Sequence, residues 1–266
     1  MLTRDKDTGW RESARERAAF LNIRKAESDY GRRLRQVAKQ IGDFVRAFEP
    51  TGPIINVDLV HLQQMLTRYA DLLDPWARAV AHRFVEEIAR RDERAWATYS
   101  RNFSRALELE VRTAPTGEML QRFLEEQVSL IKSIPLDAAK RVHEIAVGNL
   151  YSGARYGELM QHIMETGNVT RSRATLIART ETGRVSTGLT MVRAQHIGSE
   201  GYIWRTIRDR VVRDSHRHME GKFCRWDSPP VVEPGKPPYH AGQIYNCRCF
   251  AEPIIPDRYL PSKEAA

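Results

Sequence analysis

The chain is poor in cysteine: Cys224, Cys247 and Cys249 are the only three among 266 residues, and none precedes residue 220. An odd count of so few excludes a fully paired disulfide framework. No apolar run reaches the roughly 18 residues that a membrane-spanning helix needs. The opening segment, MLTRDKDTGWRESARERAAF, has no apolar core of the kind a signal peptide carries. Secretion by that route is not expected, and the thiols are expected to meet a reducing cytosol. No P-loop, glycine-rich phosphate loop, nucleophile elbow or His-Glu-x-x-His pattern occurs, so no recognised catalytic motif is present and the chain does not read as an enzyme. No internal repeat of useful length and no low-complexity tract are found. Lysine is scarce, with 8 among 42 basic residues.

What is there reads as a folded protein. Hydrophobic residues at 41% and charged residues at 29% can build a core, so disorder is not the default. The length suits one large domain or two ordinary ones. The net charge of +8 is unevenly spread. Residues 170–225 hold 12 basic and 5 acidic groups, whereas residues 51–169 hold 14 and 16. Arginine's planar fork suits phosphate and carboxylate partners, and it desolvates more readily than lysine. A solvated arginine-rich face and a phosphate-facing surface both fit this excess.

The first two thirds carry helical periodicity. Tyr30, Leu34, Val37, Ile41, Phe44, Val45 and Phe48 step by threes and fours, following Phe20 and Ile23. The segment EPTGP, residues 49–53, ends that helix. Asp58 can cap a second helix bearing Leu59, Leu62, Leu66, Tyr69 and Leu73. Asp74-Pro75 opens a long third one, with Trp76, Val80, Phe84, Ile88, Trp96, Tyr99, Phe103, Leu107 and Val111. APTG, residues 114–117, is the next break. Pro135 is expected to restart the chain, and Gly148, Gly153, Gly157 and Gly167 to keep the helices near them short. His143 and His162 stand alone on helical segments and read as ordinary partly buried or surface histidines. Thr170 can cap a last helix on which Ala174, Ile177, Glu181, Val185, Leu189 and Val192 share a face. A carboxylate in that row needs a partner, and Arg184 is near enough to supply one.

After Gly198 the period changes to two, in Tyr202, Trp204 and Thr206, which is strand spacing. Asp214 or Ser215 can cap a short helix ending at Gly221. PPVVEPGKPP, residues 229–238, must be an extended loop, and Cys247 to Ile255 can form a closing strand. The expected fold is therefore mainly α: a helical N-terminal scaffold over residues 1–168, then a small α+β C-terminal module over 169–256, then a tail over 257–266.

Three chemical readings apply to this module. Cys224, Cys247 and Cys249 with His240 or His216 can form a structural zinc centre, since thiolate and imidazole suit zinc. Cys-x-Cys is tighter than the usual Cys-x-x-Cys, and buried apolar cysteines beside a hydrogen-bonded turn are the alternative. Arg205, Arg208, Arg210, Arg213, Arg217 and Arg225, beside Tyr202 and Trp204, can meet double-stranded DNA without base specificity. The competing use of these arginines is pairing with Glu181, Asp209, Asp214 or an acidic partner. Asp209, His216 and His218 with a metal can imitate a nuclease, and Arg179-Thr180-Glu181 a nucleotide-handling site.

The order of several short pieces carries a resemblance. IARTETGR (177–184), GYIWRT (201–206), DRVVRDSH (209–216), MEGKFCRWD (219–227), the proline-rich loop and NCRC (246–249) together resemble the phage Mu F-like head-morphogenesis domain of tailed-phage minor head proteins. It covers about residues 170–255. The resemblance implies a low-copy virion protein at the head interior or portal vertex, with a structural part played by Glu181, Arg184, Trp204, Asp209 and His216. Its implied partners are portal and capsid or scaffold proteins, met in the host cytoplasm during assembly, with no membrane. Its implied function is head morphogenesis with a part in DNA packaging or delivery. A metal-dependent nucleic-acid-processing enzyme and a non-specific DNA-binding protein are the alternatives. Some members carry toxin or enzyme domains after this module, and none is expected here, because the chain ends shortly after Pro253.

Overall fold

A computed structural model describes residues 3–5, 9–11, 23–48, 56–101, 103–152 and 156–260. The expected break at 49–53, the cue at Gly153, Phe20 and the end of the tail lie outside them. A short antiparallel hairpin, β1 (Thr3–Asp5) and β2 (Gly9–Arg11), comes first. Among the described residues six helices follow: α1 (Arg24–Ala47), α2 (Asn56–Leu72), α3 (Asp74–Ser100), α4 (Arg105–Arg112), α5 (Gly117–Ser152) and α6 (Tyr156–His196). Then come β3 (Gly201–Thr206), the short α7 (Asp214–Arg217), β4 (Phe223–Arg225), β5 (Cys249–Pro253) and a 3-10 turn at Asp257–Tyr259. The class is the expected one, mainly α with a small C-terminal sheet.

The chain divides into two compact units that are discontinuous in sequence. The first holds residues 1–27, 85–123 and 179–266, and the second holds 28–84 and 124–178. The expected division at 168 falls inside α6 and within the second unit.

In the second unit the periodic stripes become core. Tyr30, Leu34, Val37, Ile41 and Val45 of α1 and Leu59, Leu62 and Leu66 of α2 are buried. Tyr30 stacks on Phe84 with ring centroids 4.0 Å apart and bonds Gln127 through its hydroxyl at 3.0 Å. Several expected boundaries are absent, each for a physical reason. Helix α2 begins at Asn56, so Asp58 lies in its first turn and is not its cap. Helix α5 runs through Pro135. Proline removes one helical donor there, a local loss in a 36-residue helix, and Arg173 ties that turn through Ser133 and Asp137. Gly167 does not break α6: a Cβ there would lie 3.4 Å from the Gly42 Cα, so glycine serves close helix packing. Thr170 is inside α6, with its hydroxyl donating to the Thr166 carbonyl at 2.7 Å, a satisfied mid-helix threonine. The helix expected to start there is one with the segment before it.

In the first unit the predicted long helix from Asp74 stops at Ser100. Ser104 then caps α4, its hydroxyl accepting from the Leu107 N–H at 3.2 Å. The sheet is antiparallel throughout, in the order β4-β3-β5. Tyr202 and Trp204 on one face of β3 join Trp96, Tyr99, Phe103, Trp226, Tyr239 and Ala251 in one apolar cluster. The Tyr99 hydroxyl donates to the Pro253 carbonyl at 3.1 Å. All six residues of β3 are buried, Arg205 among them. Glu252, itself buried, is paired with Arg205 and makes that burial tolerable. A second buried ion pair joins Arg193 to Asp92 at 2.8 Å, with Thr190 and the Val111 carbonyl completing the network. Desolvation pushes the Asp92 carboxyl up to about 6 against the pull of Arg193.

Candidate functional site

The loop from Tyr239 to Cys249 has little regular structure, so side chains of α6 must hold it. Arg179 donates to the Asn246 side-chain oxygen at 2.7 Å and to Glu27 at 3.2 Å. Thr180 accepts from the Asn246 N–H at 3.0 Å. Asn246 itself sits at φ +60°, a conformation that asparagine tolerates better than most residues. One turn on, a Cβ on Gly183 would lie 2.6 Å from the Gly242 carbonyl oxygen, so only glycine lets the loop lie on the helix. A further turn on, Thr187 donates to the Ala241 carbonyl at 2.7 Å. The motif RTETGR therefore reads as a cradle for the cysteine loop. Arg179 and Thr180 are engaged in it, which leaves the nucleotide-handling reading without its residues. Glu181, buried in the row, is paired with Arg184 at 2.9 Å.

The loop presents Cys247 and Cys249 to His216 of α7. The three are buried, with one donor atom from each lying within 4.8 Å of the others. Nδ1 of His216 is 3.5 Å from the Cys247 sulfur and 3.4 Å from that of Cys249. Its Nε2 faces the Tyr239 hydroxyl at 3.1 Å and a Glu233 carboxylate oxygen at 3.6 Å. Trp204 meets the imidazole edge to face, with centroids 5.6 Å apart. Hydrogen bonding from Cys249, with help from His216, pulls the Cys247 thiol well below its usual value, while its bond to Cys247 and its burial push Cys249 up. The two thiols therefore titrate as one interacting pair.

This set differs from the expected one, for Cys224 and His240 are outside the group. The sheet order explains it. Cys224 pairs with Tyr202 on one side of β3, and Cys249 pairs with Thr206 on the other. That offset is about 13 Å along the strand and two strand spacings of about 4.8 Å across it. His240 instead faces the Tyr202 hydroxyl at 3.2 Å, and burial lowers its pKa. Burial raises the Cys224 thiol. KFCRW and NCRC are therefore not neighbours in the sheet, since β3 lies between them.

The six arginines do not form one surface. Arg205 is buried against Glu252 and Glu220, which takes it away from any duplex. Arg213, half-buried, donates to the Tyr245 carbonyl at 3.0 Å and so pins the cysteine loop. Arg225 is held by both oxygens of Asp227, at 2.9 and 2.8 Å. Arg208, Arg210 and Arg217 are exposed, with Arg208 paired to Glu220 at 3.0 Å and Arg217 to Asp214 at 2.8 Å. Exposed pairs of this kind are worth little and exchange readily for phosphate. Asp209 is paired with Arg248 and accepts from the Val211 N–H at 3.0 Å. His218 is exposed, and among the described residues it forms no metal-type group with Asp209 and His216.

Several working residues carried no sequence signal of their own. Glu220 accepts from the Thr206 N–H at 2.6 Å and its hydroxyl at 2.8 Å, closing the end of β3. Tyr239, Glu233 and Glu252 gain their roles only through sheet pairing and loop closure. The proline-rich stretch before Tyr239 was the one available cue, since a stiff loop must return to the module's core.

With this geometry in view, comparison with known proteins gives a consistent result. Residues 140–252 match the family described as Phage Mu protein F like protein. An uncharacterized protein of Haemophilus influenzae is 25% identical over 245 residues, 87% of this chain and 54% of the relative. The minor head protein GP7 of Bacillus phage SPP1 is 26% identical over 169 residues, 58% of this chain and 54% of GP7. The chain thus spans about half the length of the curated relatives it matches. No solved structure matches.

Proposed function

We propose, from the match of residues 140–252 to the Mu F-like family, that the chain is a minor head protein of a tailed phage, acting in head morphogenesis. The observation that carries this reading is the match itself. It begins within α5 and ends within β5, so it takes in the whole of α6, the cysteine loop and the sheet that the loop closes on. Likeness to a phage protein named for the minor head supports it. In this reading the chain joins the head in few copies at the portal vertex, meets portal and capsid or scaffold proteins there, and assists DNA packaging or delivery. Assembly takes place in the host cytoplasm. The cradle of α6 and the buried ion pairs make the module a rigid docking body, a structural rather than a catalytic part. Contact with packaged DNA falls to the exposed Arg208, Arg210 and Arg217. None of the described helices is long and apolar enough to cross a membrane.

The test is deletion of the gene from the phage or prophage that encodes it. The expected result is heads that are unfilled or non-infectious, rescued by the chain supplied in trans. Normal yields of full, infectious heads from the deletion would overturn the proposal.

A further inference from the structure

The structure assigns a soft-metal site to His216, Cys247 and Cys249, with zinc as the ion of matching chemistry. Its first support is distance. A tetrahedral ion with metal–sulfur bonds of about 2.3 Å and a metal–nitrogen bond of about 2.05 Å separates its sulfur and nitrogen ligands by about 3.5 Å. The two sulfurs lie 3.5 and 3.4 Å from Nδ1. A neutral imidazole offers one lone pair or one proton at Nδ1, and so cannot bond both sulfurs well. One ion between the three atoms satisfies all of them.

The surroundings give the second support. Ligating histidines characteristically donate their other ring N–H to a carboxylate or similar acceptor, which fixes tautomer and orientation. Here Nε2 faces the Tyr239 hydroxyl at 3.1 Å and Glu233 at 3.6 Å, leaving the Nδ1 lone pair toward the sulfurs. Cys247 and Cys249 are two apart in an extended stretch and present their sulfurs on one side. Arg248, between them, is engaged instead with Asp209.

The third support is topology. His216 lies 31 residues before Cys247. The segments that carry them, 207–222 and 226–248, hold only the single-turn α7 as regular structure. An ion there ties two loops that the sheet alone does not join, and its binding free energy becomes folding free energy. Among the described residues no fourth protein ligand joins the group, so a solvent molecule completes the tetrahedron.

The experiment uses the full chain, purified in reducing buffer without chelator. Elemental analysis is expected to give stoichiometric zinc. Cobalt exchanged into the same protein is expected to show sulfur-to-metal charge transfer and the intense visible bands of a tetrahedral ion. Cys247→Ser and Cys249→Ser lose the metal, while Cys224→Ser and His240→Ala keep it. Tyr239→Phe removes a positioning contact and weakens zinc affinity about ten- to a hundredfold, with the cobalt spectrum retained at saturation. If the serine variants do not fold, protection of two thiols in the wild type by added zinc, mapped to Cys247 and Cys249, serves instead. Wild-type protein that takes up neither zinc nor cobalt when reduced would overturn the site. So would zinc retained by the Cys247→Ser/Cys249→Ser double variant, or loss of the metal from folded Cys224→Ser.

Discussion

The unit of residues 28–84 and 124–178 and the C-terminal module of the other unit solve the same problem with different chemistry. The helical unit buries stripes of leucine, isoleucine and valine, and its ion pairs, such as Lys132 with Asp74 at 2.9 Å, lie half-exposed at the edges. The module has little regular structure over which to spread such stripes. Beside its aromatic cluster it uses single anchors: Arg205 on Glu252, Glu220 on Thr206, Thr187 on the Ala241 carbonyl and Arg179 on Asn246. Non-directional burial tolerates variation, whereas a directional anchor fails when one partner is lost.

The largest effect is expected where that contrast is sharpest. Arg205→Ala strands the buried Glu252 carboxylate and should destabilise by about 3–5 kcal/mol in urea unfolding. A loss below about 1 kcal/mol would show that Glu252 is not held by charge. In the helical unit, Leu66→Ala removes a fully buried side chain and should cost about 2–5 kcal/mol through lost transfer energy and a cavity. The two should also differ in repair. A volume-conserving Leu66→Met should cost under about 1.5 kcal/mol, whereas Arg205→Lys, without the fork, should recover only part of its loss.

Sequence patterns foretold the first region better than the second. Apart from half-buried Phe44, the threes and fours from Tyr30 to Val45 and from Leu59 to Leu66 are buried as periodicity requires. Punctuation misled where a neighbour overrode it: Pro135, Gly167 and Thr170 each carry a local breaker or cap signal that packing or a side-chain bond absorbs. The strand at Gly201–Thr206 was legible, but its two-sided burial was not, because the groups that meet its second face, such as Glu252 and Glu220 against Arg205, come from elsewhere in the sequence. Within the site, the cysteines drew notice by rarity. Spacing alone does not choose His216 over His240, since the choice is made by which side of β3 each segment joins.

Smaller effects refine the comparison. Gly183→Ala should cost about 1–3 kcal/mol, because its methyl meets the Gly242 carbonyl and must push the cysteine loop off α6. Thr187→Val, nearly isosteric, leaves the Ala241 carbonyl without its donor and should cost about 1–2 kcal/mol.

The pH response should also divide. Burial would raise the Glu220 carboxyl, but donation from Thr206 and Arg208 outweighs it and holds the pKa below its ordinary 4.5. A carboxyl depressed in the folded state adds stability above its unfolded pKa, and that stability drains as pH falls through the folded one. Unfolding titrations below pH 4.5 should therefore show an acid-sensitive slope that Glu220→Gln flattens. An unchanged slope would mean that Glu220 does not close the end of β3.

The claim that the chain is a minor head protein is met most directly by counting it in particles. Quantitative mass spectrometry of purified, DNA-filled heads from the encoding phage should find the chain in every preparation, at a small fraction of the major capsid protein. Its absence from heads and from their empty precursors alike would contradict the account.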